Sequence, residues 1–179
     1  MSTRKARQWL AAILLTAAAS GVVPAAEPVL EALPQHVQLA PQLHVSGQPS
    51  AEALAALPSA GVKVVIDLRP DEETPTLDEA GAARQAGLVY ENLPIAGKSG
   101  LTRANVEAFD ALLNKHAGTT VLAHCASGNR VGALLALRAA WLQGKPVAEA
   151  LALGDQAGLK GLRSDVEALL KPAEALPQK

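Results

Sequence analysis

The sequence predicts an α/β domain, with a central, mostly parallel sheet flanked by helices. Three observations carry that expectation. Short apolar runs alternate along the chain with segments of helical character, the order that builds parallel sheets covered on both sides. The strongest run, Val62-Lys63-Val64-Val65-Ile66-Asp67-Leu68, is β-branched and nearly unbroken, as suits a strand buried on both faces. Val121-Leu122-Ala123 reads as another buried strand, and it ends on His124 and Cys125, the single cysteine of the chain.

Residues 1–26 read as a signal peptide. Arg4, Lys5 and Arg7 give a basic start, Trp9 to Ala19 an apolar core, and Val23-Pro24-Ala25 the small residues for cleavage. The apolar run falls short of the roughly 20 residues that a membrane span requires. The expectation is therefore an exported protein, most simply periplasmic, with no membrane attachment after cleavage. Residues 27–179 then form a single domain long enough for its own core, with a polar tail from Pro172. Losing three basic residues takes the formal charge from −1 to −4, which gives no footing for nucleic acid. A lone cysteine makes no internal disulfide, so stability has to come from packing.

Within the domain, Val37 to Leu39 and Leu43 to Ser46 read as strands around the turn Ala40-Pro41-Gln42, and Gly47-Gln48-Pro49 breaks the pattern. Ser50 caps a helix over Ala51 to Ser59, with Glu52 placed well against its dipole and Gly61 at its end. After the strand from Val62 comes a polar loop, Arg69 to Pro75, and an Ala-rich helix from Leu77 to Ala86. Val89 to Leu93 is a strand stopped by Pro94, and Thr102 caps a helix reaching Lys115. Beyond the strand at Val121 a helix is expected from Ala133 to Gln143. Its residues Leu134, Leu135, Arg138, Trp141 and Leu142 recur at helical spacing and make one face apolar. Lys145-Pro146 opens a further helix, and Ser164 caps a last one from Asp165 to Leu170.

The chemistry concentrates at Cys125. A cysteine at a strand-to-helix turn meets unpaired backbone N–H groups and the positive end of the helix dipole, which bind anions and favour thiolate over thiol. Arg130 adds a two-pronged clamp for an oxyanion. A cysteine after an apolar run is commonly just a small buried hydrophobe. Here Gly128 allows a tight turn, and Arg130 near a core would be costly without an anion to pair, so a functional thiol is the better reading. The substrate class this implies is anionic, carrying phosphate or sulfur. Ligand sites of such sheets lie at the carboxyl ends of the strands, where Cys125 falls. His36, His44 and His116 are scattered and no His/Asp/Glu set shows metal-ligand spacing, so neither a metal nor another cofactor is expected.

His124-Cys125-Ala126-Ser127-Gly128-Asn129-Arg130 resembles the phosphate loop of cysteine-dependent protein phosphatases. Together with Val45-Ser46-Gly47-Gln48-Pro49 and the block from Gly61 to Arg69, it resembles the β-lactamase-hydrolase-like phosphatase domain family, a bacterial branch similar to dual-specificity phosphatases. The likeness runs from His36 to Gln143. It implies a cysteine-phosphatase-like fold and hydrolysis of phosphate monoesters, with Cys125 forming a phosphocysteine intermediate. Arg130 and the amides of Ala126, Ser127, Gly128 and Asn129 would hold the phosphoryl oxygens. His124 would order the loop, and Asp67 and Arg69 would brace it.

Three departures temper the likeness. Only four residues separate Cys125 from Arg130, where tyrosine and dual-specificity phosphatases have five. Four is also the rhodanese spacing, so sulfur transfer or persulfide handling at the same cysteine is the alternative. Val131 stands where a serine or threonine would stabilise the departing thiolate. Pro94 to Lys98, the region that commonly supplies the general acid, holds no carboxylate. Asp71 and Glu73 are the candidates to replace it, although a solvated acidic loop is the plainer reading. A catalytically weak, anion-binding domain is the third possibility.

Overall fold

The computed structural model of the protein describes residues 27–73 and 75–171; the expected leader and the tail from Pro172 lie outside them. A short helix, α1 (Glu27–Glu31), precedes β1 (Val37–Ala40) and β2 (Leu43–Ser46). Then come α2 (Ala51–Ala56), β3 (Val64–Asp67), α3 (Glu79–Gln85), β4 (Val89–Asn92) and α4 (Arg103–Lys115). The chain closes with β5 (Val121–His124), α5 (Asn129–Trp141), α6 (Val147–Gln156) and α7 (Arg163–Leu170). One five-stranded sheet has the order β1-β2-β5-β3-β4. Only the β1–β2 pair is antiparallel. The expected α/β class and its mostly parallel sheet are what the chain forms.

Local chemistry sets the boundaries. Ser50 Oγ accepts from the Ala53 N–H and Thr102 Oγ1 from the Asn105 N–H, so both expected caps close their helices. Asp78 caps α3 by accepting from Gly81, which starts that helix later than the apolar pattern suggests. β3 and β5 are buried along their whole length, in keeping with their unbroken apolar sequence. The pleat then divides the core. Val64, Ile66, Val121 and Ala123 pack toward α4, α5, α6 and α7, whereas Val65 and Leu122 pack toward α1, α2 and α3. Register aligns Asp67 and Ser46 with His124, so the carboxyl ends of β2, β3 and β5 finish at one level.

α5 departs from expectation. It begins at Asn129 rather than Ala133, and instead of one apolar face it is buried all round from Arg130 to Leu137. The reason is its position against the sheet and among α4, α6 and α7, which leaves its first two turns no solvent side. Gly132 makes the closest of these approaches possible: a Cβ there would lie 2.5 Å from the Leu159 N and 2.7 Å from the Gly154 O. Gly154 of α6 reciprocates, with an added Cβ falling 2.9 Å from the Gly132 O.

The histidines are less scattered than the sequence implies. His36 Nε2 and His44 Nδ1 are 3.0 Å apart, and the ring centres are separated by 5.2 Å. Those two lengths put both nitrogens near the line joining the rings, the geometry of one imidazole donating to the other. Burial lowers both pKa values; the neighbouring His36 charge lowers that of His44 further, while Glu31 works the other way on His36.

Two outcomes follow from this packing. Gly132→Val lowers stability by about 3 kcal/mol or more in urea unfolding, because the α5–α6 crossing has no room to yield. The imidazole pair contributes a pH dependence of definite sign. A folded pKa below the ordinary 6.5 means that the unfolded chain binds more protons as pH falls through that value. Stability is thus fully present above about pH 6.5 and declines on acidification. Melts between pH 7 and pH 5 should show a shallower decline once both histidines are replaced by glutamine.

Candidate active site

Cys125 follows directly on β5, and the pleat turns it toward the α4–α7 face, where it is only 1% exposed. The loop after it reaches α5 through Gly128, whose φ of 77° is the left-handed conformation a glycine adopts without strain. Its seat is the Gly47-Gln48-Pro49 segment. The Gln48 N–H donates to the Ala126 carbonyl at 3.3 Å, and Gly47 forms a bridge with Ser127. A side chain at Gly47 would come within 3.0 Å of that carbonyl and 2.7 Å of Gln35 Oε1. Among the described residues, the amides of Ala126, Ser127, Asn129 and Arg130 have no acceptor. These are the loop and first-turn donors of α5, open to an anion.

Arg130 lies in that first turn and is 8% exposed. Its Nη1 and Nη2 donate to Glu73 Oε1 and Oε2 at 2.7 and 2.6 Å, a two-pronged charge-assisted pair. Nη1 also donates to the Ile95 carbonyl at 3.1 Å, so the Pro94–Lys98 segment, which holds no carboxylate, contributes a backbone oxygen to the arginine. Burial opposes the guanidinium charge, but the bonds to Glu73 and the interaction with the neighbouring Cys125 outweigh it and raise the Arg130 pKa. Of the two carboxylates singled out in the sequence, only Glu73 is bonded to the arginine. Asp71 is exposed and lines a neighbouring cavity with Arg69 and Tyr90.

The remaining candidates take distinct places. Ala126 and Ser127 are exposed at the loop tip. Asn129 commits its side-chain oxygen to the Lys160 and Leu162 N–H groups, leaving only its amide for the loop. Val131 is fully buried in the core, so the position that would offer a hydroxyl does packing work instead. Outside that set, Lys98 pairs with Asp165, and Arg103 pairs with Glu107 while lying over the Trp141 ring.

Beneath the loop, on the α1–α3 side, lies a buried ion network. Arg69 binds Asp67 through Nε and Nη2 and also reaches Glu79 Oε2 at 2.7 Å. His124, with no exposed surface, places Nε2 2.7 Å from Glu79 Oε1, close but off the direction of a hydrogen bond. Gln48 donates to Glu79 Oε2, and the Tyr90 hydroxyl donates to Asp67. Burial, followed by the Asp67 charge, pushes the Tyr90 pKa above the tyrosine range and keeps it a donor. Asp67, Glu79 and His124 bring donor atoms within 4.8 Å of one another, but Arg69 already supplies the positive charge there. His124, Asp67 and Arg69, expected to brace the loop, come together around Glu79, which the sequence pattern does not single out. In sequence Glu79 is an ordinary acid in a first helical turn; only its spacing from the Asp67-Leu68-Arg69 block hints at more.

Glu79 is 3% exposed and holds two buried cationic or polar partners at once. Glu79→Ala should cost about 3 kcal/mol in chemical denaturation, since Arg69 loses one of its two buried counter-charges. Glu79→Gln, which keeps the shape and one acceptor, should lose clearly less.

Comparison with known proteins adds a family to this geometry. Two curated proteins named beta-lactamase hydrolase-like protein share part of the chain: one from Xylella fastidiosa is 38% identical over 105 residues, and one from Agrobacterium fabrum 33%. The aligned part is 56% of this chain and 24% of each relative, so the chain spans about a quarter of their length. A candidate phosphatase (DUF442) from Shewanella putrefaciens CN-32 superposes with a TM-score of 0.64 at 28% identity, covering 80% of this chain and 95% of that one. A candidate phosphatase from Neisseria meningitidis gives 0.58 at 30% identity, over 74% of this chain and 96% of its own. TpbA of P. aeruginosa, solved with pTyr, matches in fold with a TM-score of 0.54 at 21% identity, over 78% and 85% of the two chains. The family model for the phosphatase-like domain of beta-lactamase hydrolase-like proteins matches residues 35–141, a span that contains every element of the loop and its supporting network. This chain belongs to that family.

Proposed function

We propose that the domain is a cysteine-dependent phosphatase acting on phosphate monoesters through Cys125 and Arg130. The observation that carries this reading is the Glu73 carboxylate seated on the Arg130 fork beside four open amides. A fork that binds two carboxylate oxygens is spaced for two oxygens of a phosphoryl group. Its remaining oxygen then falls to the amides of Ala126, Ser127, Asn129 and Arg130.

In the reaction the Cys125 thiolate attacks phosphorus, the S–P bond forms and the bond to the ester oxygen breaks. Arg130 and the loop amides hold the negative charge on the equatorial oxygens as it spreads. Water then attacks phosphorus, the S–P bond breaks, and phosphate leaves with the thiolate restored. No carboxylate stands in the Pro94–Lys98 segment, and Glu73 accepts two guanidinium protons rather than offering one. The leaving group therefore departs with little help, and aryl esters, whose oxygens tolerate the charge, are the favoured substrates. We also read residues 1–26 as a cleaved leader, which puts this chemistry outside the cytoplasm.

The four-residue spacing between Cys125 and Arg130 supports sulfur transfer as the second reading. Parallel assays separate the two. The protein should hydrolyse p-nitrophenyl phosphate, Cys125→Ser should abolish that activity, and Arg130→Lys should lower kcat/KM by about 10²–10³. Alkyl phosphates should react about 10²–10⁴-fold more slowly than aryl phosphates, the usual worth of a general acid. Hydrolysis that persists in Cys125→Ser sinks the proposal. Thiocyanate formation from thiosulfate and cyanide, lost in the same variant, establishes sulfur transfer in its place.

A further inference from the structure

We propose that Glu73 is an internal occupant of the oxyanion site, so that the domain rests closed and an incoming anion binds by displacing it. The inference deepens the phosphatase reading, because it takes the Arg130 fork as the place where substrate oxygens sit. Both prongs of that fork are filled by one carboxylate, and Cys125, which lies against the same guanidinium, keeps 1% of its surface. A thiol so covered is out of reach of a substrate until something moves.

Glu73 is the group built to move. Its side chain is 38% exposed, whereas that of Arg130 is 10% exposed. It sits on a single 3-10 turn, Asp71–Glu73, with no buried residue, whose backbone bond among the described residues runs from the Glu73 N–H to the Pro70 carbonyl. Arg130 by contrast is fixed from behind by the Ile95 carbonyl and by its place in α5, so it stays aimed when the carboxylate leaves.

The exchange is selective. A carboxylate has only two oxygens, and both are used on the guanidinium. A phosphoryl group offers a third to the open amides of Ala126, Ser127, Asn129 and Arg130, along with greater charge. Anions that use fork and loop together displace Glu73; anions limited to the fork compete with it on equal terms.

Calorimetric titration with inorganic phosphate tests this without relying on turnover. In Glu73→Gln, which keeps size but loses the charge, phosphate should bind about tenfold tighter than in wild type, a difference of about 1.4 kcal/mol. Alkylation of Cys125 by iodoacetamide should be faster in that variant, and phosphate should protect against it. Glu73→Ala should behave alike, and the exposed turn lets both variants fold, as a melting curve verifies. KM for p-nitrophenyl phosphate should fall with the phosphate dissociation constant. Unchanged or weaker phosphate binding in both variants overturns the proposal, because Glu73 would then be aiming the arginine rather than blocking it. Tighter phosphate binding without any hydrolysis in wild type upholds the displacement and defeats the phosphatase reading alone.

Discussion

The buried charge at the carboxyl ends of β3 and β5 is the constraint on which the site depends. Arg69 faces two carboxylates, Asp67 and Glu79, all three almost wholly buried. A buried charge is tolerable only when paired, so the chain cannot close its sheet without bringing α3 to the strand ends. Once it does, Glu79 meets His124 and Gln48, one beside Cys125 and the other bonded to the loop carbonyl at Ala126. Three separated stretches of sequence are thus locked to one another by a single side chain. The loop inherits its shape from that lock.

The loop itself divides labour between its two ends. At Cys125 it is continuous with the sheet, and at Arg130 it is already helix, so neither terminus is free to drift. Between them Gly128 supplies the one conformation other residues resist, and the open amides follow from the turn it makes. The first turn of α5 is held by its tight crossing with α6 at Gly132 and Gly154. Positioning here is backbone against backbone, which leaves fewer soft degrees of freedom than side-chain packing would.

Much of this was legible in the sequence, and the part that was not has physical causes. Strand order of apolar runs and capping residues such as Ser50 and Thr102 report on neighbours within a few positions, so the elements could be read directly. The Cys125–Arg130 loop was legible because residue type and spacing alone define it. The full burial of α5 was not, since small residues such as Ala133 and Ala136 look alike on an exposed face and in a crowded one. Glu79 was hidden for a similar reason: a glutamate near a helix start is ordinary until tertiary structure sets His124 against it. The pairing of His36 with His44 and of Glu73 with Arg130 likewise depends on where the sheet folds each segment, and no local pattern encodes that.

The place of β5 between β2 and β3 has a consequence for how the molecule comes into being. Its partners on either side, Leu43–Ser46 and Val64–Asp67, are far upstream, so β5 inserts only after large loops have been closed. Pairings of such high contact order are slow to form, and the cysteine loop is built directly on them. A chain in which β5 is unpaired therefore holds Cys125 with neither cradle nor guanidinium around it. The cradle exists only where all three strand ends are in place together.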